Sequence, residues 1–403
     1  MPDIVIVGGG HAGAQLCGAL AAAGQGSRIQ LVCEEPVLPY QRPPLSKSYL
    51  KSADEALQWH RGDAWFTEQG VTLHRGDAAV ALDRAARRVT LASGRMLDFE
   101  WLVLATGARA RHLAHLPVSL ANVHVLRTAA DAQRLRAAWA GMHGLTVLGG
   151  GFIGLEVAAT ARALGKAVRV LESGPRLLPR TVSAQVSAHV EAVHRASGID
   201  LRTGVAVGGF EVDGERLVAL HAGGERLEVQ ALLLGIGAVP EHTLASAAGL
   251  DCDNGIAVDE NMRTSDPAVL AIGDCTSFPE PTTGWRLRLE SVQNASDQAK
   301  AAAATILGTP QPYRALPWFW SEQGSMRLQI AGLMPPDGEC HRRPGATPAS
   351  FSVLHYAAGR LSCVESVNAP LDHMGARKLL ELGRSPDPAN ASDPATALKT
   401  WAL

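Results

Sequence analysis

The chain has 403 residues, 46% of them hydrophobic and 19% charged, with a formal net charge of −2. That length predicts two or three domains with substantial cores, and the near-neutral balance excludes a general attraction to nucleic acid or to a membrane surface. No apolar run approaches the ~18 residues of a membrane-spanning helix, and the first apolar run begins at Ile4, which leaves no room for a signal peptide.

Ile4–Val7 is a wholly apolar run, followed by Gly8, Gly10 and Gly13 in the segment IVIVGGGHAG. A buried strand, a tight glycine turn and a helix start form the G-x-G-x-x-G fingerprint of a dinucleotide-binding βαβ unit. The first glycine permits the turn and the second lets the backbone approach a pyrophosphate. The third lets helix and strand pack closely, and the helix N-terminus faces the anion. His11 and Ala12 lie inside the turn. His11 either approaches the pyrophosphate or is a solvent-facing turn residue. The β-type run Ile29–Val32 leads into Cys33-Glu34-Glu35. Glu34 stands about 20 residues past the glycines, where a carboxylate accepts hydrogen bonds from a ribose 2′-OH. A hairpin signal begins at Arg88 with a Ser93-Gly94 turn, and the strand Trp101–Ala105 ends in Ala105-Thr106-Gly107.

The design then repeats. In LTVLGGGFIGLE, Leu145 to Glu156, the glycines are Gly149, Gly151 and Gly154, with Phe152 and Ile153 between the last two. Val168–Leu171 is the second β-type run and Glu172 follows it. A carboxylate there holds a ribose and repels a 2′-phosphate, which selects NAD over NADP; Arg176, close by, tempers that preference. Leu217–Leu220, a Gly223-Gly224 turn and Ala231–Leu234 lead to Gly235-Ile236-Gly237. Both halves read βαβ, antiparallel meander, returning strand, glycine, which is an internal duplication of a dinucleotide-binding domain.

Beyond Asp251 the short strands Gly255–Val258 and Val269–Ile272 appear, the second ending in Gly273-Asp274-Cys275, and an alanine-rich helix runs from Ala295 to Leu307. The remainder carries strands such as Met326–Ile330 and Phe351–Leu354 and no fingerprint; from Ser385 it reads as a loosely packed tail with one terminal helix. The expected fold class is α/β: two Rossmann-like dinucleotide-binding domains plus an α+β C-terminal domain. The expected boundaries are 1–110 with 238–308 for the first, 111–237 for the second and 309–403 for the third. Six cysteines (Cys17, Cys33, Cys252, Cys275, Cys340, Cys363) form no C-x-x-C pair and no tight cluster. That predicts unpaired thiols, no metal site and a cytoplasmic protein.

Several segments come in a telling order: PYQRPPLSKSYL (Pro39–Leu50), LATGAR (Leu104–Arg109), LRTAADA (Leu126–Ala132), GGGFIGLE, TSDPAVLAIGDC (Thr264–Cys275) and PWFWSEQ (Pro317–Gln323). From Ile4 to about Val367 the chain resembles the ferredoxin reductases of bacterial oxygenase systems. The resemblance implies an FAD-dependent NADH:ferredoxin oxidoreductase. A hydride passes from NADH to FAD, then single electrons pass to a [2Fe-2S] ferredoxin that serves a cytochrome P450 or a Rieske-type oxygenase. It implies that Gly10, Ala12, Gly13 and Glu34 bind the adenosine and pyrophosphate half of FAD, that Ala79 meets the adenine through its backbone, and that Arg42 and Arg127 contact the cofactor. It places Lys47 and Trp320 near the flavin ring, Asp274 on the ribityl chain and Val292 by the pyrimidine edge. On the NAD side it implies Gly149–Glu156, Glu172 and the Gly235–Gly237 turn.

On the same footing, Lys47 and Glu156 are the expected catalytic pair, an ion pair beside the flavin that opens or shifts when NADH binds. The alternative for Glu156 is an acid that decorates a helix N-terminus; for Trp320 it is core packing. Cys33 reads as filler beside the adenosine site. Arg61, Arg286, Arg288 and Arg314 are candidates for steering an acidic ferredoxin. The rival reading as a dithiol reductase lacks its cysteine, since residues 36–50 contain none. A flavoprotein that senses NADH as an interaction module shares the architecture, but no targeting segment or basic stripe supports it. No nucleic acid or membrane partner is expected, and the protein is expected to be a monomer or a weak homodimer.

Overall fold

The computed structural model describes residues 3–281 and 284–402. The chain divides into two compact units. One comprises residues up to Pro44, Ala56–Arg109 and Ala238–Ala315; the other comprises Leu45–Glu55, Ala110–Gly237 and the chain from Leu316 on.

The first unit is built on five parallel strands in the spatial order Val269–Ala271, Trp101–Leu104, Ile4–Val7, Ile29–Cys33, Thr72–Arg75. Ile4–Val7 and Ile29–Cys33 are buried along their whole length, which is why they read as unbroken apolar runs rather than alternating ones. An antiparallel meander follows, Ala79–Asp83, Arg88–Leu91 and Met96–Asp98. The fingerprint helix His11–Ala22 packs on a helix that runs Val292–Ile306. That second helix starts at Val292 rather than Ala295, because the Ser291 hydroxyl accepts the Asn294 N–H and caps it. Its buried alanines, Ala295, Ala299 and Ala302, let the two helices approach closely.

The second unit repeats the plan. Its parallel sheet has the order Asp200–Arg202, Ala167–Leu171, Gly144–Leu148, Leu232–Leu234, Val123–His124. Its meander is Val207–Asp213, Arg216–Ala222 and Glu225–Glu228. In both sheets the fingerprint strand is central and the returning strand lies beside it; the strand beyond the returning one comes late in the chain in the first and early in the second. This unit also holds a five-stranded antiparallel sheet, in the order Trp318–Gln323, Met326–Gly332, Arg360–Val367, Phe351–Ala357, Glu339–Pro344. Buried Glu365 of this sheet accepts the Ser183 N–H at the start of the helix Ala184–Ala196 and a bond from His355 Nε2, both at 2.8 Å.

The expected separate domain 309–403 is not a third unit, since its residues from Leu316 on cluster with the second, and two further features depart from the expectations above. Residues 45–55 pack with the second unit: Leu50 sits in its core, Trp139 Nε1 donates to the Leu50 carbonyl, and Arg136 donates to the carbonyls of Tyr49, Ser52 and Glu55. The end of the chain is not loosely packed. Asp387 caps the helix Pro388–Ser392, and Ala391 and Leu398 are buried against the C-terminal sheet. The buried Arg343 guanidinium pairs with Asp372 at 3.0 Å and donates to the carbonyls of Ala391, Asp393 and Thr396. A polar tail sequence hides this docking, because the anchor is one arginine in a distant strand.

Candidate functional site

In the first unit, Gly8 has φ +119°, and a Cβ there would meet the Ala105 carbonyl oxygen at 2.2 Å. Gly13 would place a Cβ 1.9 Å from the Gly8 carbonyl oxygen, whereas Gly10 faces open space. The returning strand therefore closes one side of the turn, the helix closes another, and the side at Gly10 stays open. The helix His11–Ala22 starts at Gly10 with no side-chain cap, unlike the helices begun by Thr128, Ser183 and Ser291. Its first N–H groups are left for an anion. This cradle fits the diphosphate of FAD. His11 is half-buried and meets His60 edge-on, ring centroids 4.5 Å apart. Ala105 is held by the Val7 carbonyl, and Thr106 and Gly107 are tied to the backbone of Glu241.

Asp274 lies half-buried in the turn Gly273–Cys275, where Gly273 has φ +83° and a Cβ would stand 2.9 Å from that of Ala12. The Gly273 N–H is fixed by Gln298 Oε1 at 2.7 Å. Asp274 thus sits at the C-terminal edge of the sheet, close to the fingerprint helix. Val292 opens its helix, half-buried, and Ala79 opens its strand just before a register shift. Arg42 is engaged with Glu35 at 2.9 Å and with the Tyr40 hydroxyl.

The second cradle has the same construction: Gly149 at φ +99° against the Gly235 carbonyl, Gly154 against the Gly149 carbonyl, and an uncapped helix start at Gly151. Gly235 is held by the Leu148 carbonyl, Gly237 has φ +99°, and Ile236 is half-buried between them. Glu172 accepts the N–H groups of Gly150 and Gly174, both at 2.6 Å, which fixes its carboxylate at the strand end. The residue expected to blur the NAD preference is committed elsewhere, since the Arg176 guanidinium donates to the carbonyls of Pro179, Val182 and Ser183.

The two acids are not equivalent. Gly8 donates to Val32 and Gly149 to Leu171, so the residue in register with Glu172 is Cys33, and Glu34 falls one step later. Cys33 packs against Gly9, where a Cβ would meet its sulfur at 2.5 Å. Burial pushes its thiol up to about 12, which leaves it inert, as a packing residue should be. Glu34 is exposed.

Lys47 and Glu156 meet within the second unit, Nζ to Oε2 at 2.6 Å. Glu156 is 3% exposed, so it does not decorate a helix end. A buried carboxylate needs partners, and it has three: Lys47, the Ser46 hydroxyl at 2.5 Å on Oε2, and the Ser321 hydroxyl at 2.7 Å on Oε1. Both serines were missed in sequence, where nothing marks a hydroxyl that reaches across the fold. Thr160, one turn after Glu156, donates to the Ser46 carbonyl and fixes the segment that carries Lys47. Phe152 stacks on Phe319 at 4.6 Å, Ile153 is exposed, and Trp320 lies half-buried 5.5 Å from Trp318. Arg127 lies half-buried just ahead of the Thr128–Asp131 capping box. Of the steering arginines, Arg61 and Arg314 are exposed. Arg286 is exposed and donates to the carbonyls of Val258 and Ser277, while Arg288 is paired with Glu290.

The fold and its paired cradles define a two-dinucleotide flavoprotein reductase. Residues 2–299 match the family described as pyridine nucleotide-disulphide oxidoreductase and residues 318–402 match the reductase C-terminal domain. The chain belongs to the pyridine nucleotide-disulphide oxidoreductase family and uses FAD and NAD(H). More particularly, it groups with the ferredoxin reductases. It is 42% identical to the rhodocoxin reductase of Rhodococcus erythropolis over 97% of this chain and 92% of that one. The ferredoxin reductase for the CYP199A2 system from Rhodopseudomonas palustris superposes over the whole of both chains with TM-score 0.96 at 41% identity. The covalent putidaredoxin reductase–putidaredoxin complex matches with TM-score 0.93 at 36% identity, over 99% of this chain and 98% of that one.

Proposed function

We propose that this chain is an NADH-dependent ferredoxin reductase. It takes a hydride from NADH and passes single electrons to a [2Fe-2S] ferredoxin that feeds a cytochrome P450 or a Rieske-type oxygenase. The observation that carries the reading is the repeated glycine cradle, once in each unit, which gives one chain places for two dinucleotides. Bound FAD supplies the step between a two-electron donor and a one-electron acceptor. The residues of the chain do the rest. Gly8, Gly10, Gly13 and the helix at His11 hold the FAD diphosphate, and Asp274 takes its ribityl hydroxyls. Gly149, Gly151, Gly154 and Glu172 hold NADH by its pyrophosphate and ribose. Lys47 holds a proton and a positive charge at Nζ for the flavin ring, and Glu156 positions that ammonium. The cytoplasm is the proposed location, supported by six unpaired thiols. Among the described residues no helix is long and apolar enough to cross a membrane.

Anaerobic titration of the purified protein, followed at the flavin absorption bands, tests the assignment. The expected result is bleaching by NADH at far lower concentration than by NADPH. An equal response to both, or a purified protein without flavin, overturns it.

A further inference from the structure

The contacts around Glu156 continue past Ser321. Gln323 Nε2 donates to Ser321 Oγ at 3.2 Å, and Gln323 Oε1 lies 2.8 Å from His194 Nε2. Ser321 and Gln323 alternate along one strand, so both project from the same face of the sheet. His194 sits in the last turn of the helix Ala184–Ala196, and all three residues are buried to 2% exposure or less.

The hydrogens of this chain have one consistent assignment. Glu156 Oε1 can only accept while ionised, so Ser321 spends its one proton there. The Ser321 oxygen must then accept, which turns the Gln323 amide nitrogen toward it and the amide oxygen toward His194. His194 Nε2 therefore carries the proton. Burial lowers the His194 pKa, which keeps the ring neutral with that single donor in place. Every donor along the path points toward Glu156, and on its other oxygen the donors Ser46 and Lys47 point inward too.

We infer that Ser321, Gln323 and His194 are positioning residues that orient the Glu156 carboxylate against Lys47. The inference rests on the proposed catalytic pairing of Lys47 with Glu156. A buried carboxylate with donors on both oxygens cannot rotate without breaking one. Without Ser321, Oε1 is left bare and the carboxylate loses the donor that fixes its orientation.

Flavin reduction by NADH in a stopped flow tests this with flavin-loaded Ser321→Ala, Gln323→Leu and Glu156→Gln. The absorbance change of the bound flavin on adding NAD+ is recorded in parallel. Ser321→Ala is expected to slow reduction roughly tenfold at neutral pH, the loss of one bond to a charged group. The NAD+-induced change is altered, while the NADH concentration for half-saturation stays the same. Gln323→Leu moves the same readouts less. In the Glu156→Gln background Ser321→Ala has no further effect. If the inference fails alone, Glu156→Gln slows reduction while Ser321→Ala and Gln323→Leu leave the NAD+-induced change in place, or the Ser321→Ala loss adds in full to Glu156→Gln. If Glu156→Gln itself leaves the rate and the NAD+-induced change as they were, the pairing with Lys47 falls and the inference falls with it. Should Ser321→Ala not load flavin, Gln323→Leu alone decides.

Discussion

Gly10 and Gly13 lie in one turn and differ in what they exclude. Gly13 has a carbonyl oxygen where its Cβ would go, so Gly13→Ala forces helix and strand apart and damages the fold itself. Gly10 has φ −75° and empty space beside it, so the apoprotein should accept Gly10→Ala with its Tm unchanged. The space is the one a diphosphate would approach. Gly10→Ala is therefore expected to weaken FAD binding by roughly tenfold or more, on the scale of one lost bond to a charged group. Flavin retained after dialysis, read beside the Tm of the apoprotein, separates the two substitutions. Normal flavin retention by Gly10→Ala would remove the diphosphate from this cradle.

At the scale of elements, the two fingerprint helices begin without side-chain caps, while the helix at Val292 carries Ser291 and the terminal helix carries Asp387. The C-terminal segment is gathered by Arg343, 3% exposed and paired with Asp372, beside a Tyr356 hydroxyl that donates to the Pro386 carbonyl. Arg343→Met leaves Asp372 without its guanidinium and three tail carbonyls without donors. A loss of about 3–5 kcal/mol is expected for breaking a buried pair from one side. Denaturant unfolding checks this, and limited proteolysis should cut the variant near residues 385–395 first. A variant as stable and as resistant as the parent would mean that Ala391 and Leu398 hold the tail unaided.

For the whole molecule, three histidines shielded from water are expected to contribute to the response to acid. Burial, before nearby arginines, lowers His60, His124 and His373 to about 4, against about 6.5 in the unfolded chain. A folded pKa below the unfolded one means that the unfolded state binds the proton first as pH falls. Stability is thus whole above about pH 6.5 and is lost progressively down to about pH 4, on the order of 1 kcal/mol for each group after solvent screening. His373 is the sharpest case, since both ring nitrogens are buried with no hydrogen-bond partner. His373→Phe is expected to flatten the fall in Tm between pH 6.5 and 4. An unchanged slope would assign the acid response to other groups.

The duplicated βαβ plan was legible in the sequence, because glycine turns and buried parallel strands leave local marks: positive φ, close approach and unbroken apolar runs. So were Lys47 and Glu156 as a pair, through the motifs that carry them. The alignment of Glu34 with Glu172 was not, since spacing along the chain does not reveal strand register; the hydrogen bonds of Gly8 and Gly149 put Cys33 in that place. Nor could spacing reveal that residues 45–55 pack with the second unit, that Arg288 is paired with Glu290, or that Arg343 gathers the tail. Ser46, Ser321, Gln323 and His194 are ordinary residues in ordinary segments. Only tertiary structure brings Ser46 and Ser321 to one carboxylate and lines Gln323 and His194 up behind Ser321, because a buried charge is satisfied by whichever donors the fold carries within about 3 Å, whatever their distance along the chain.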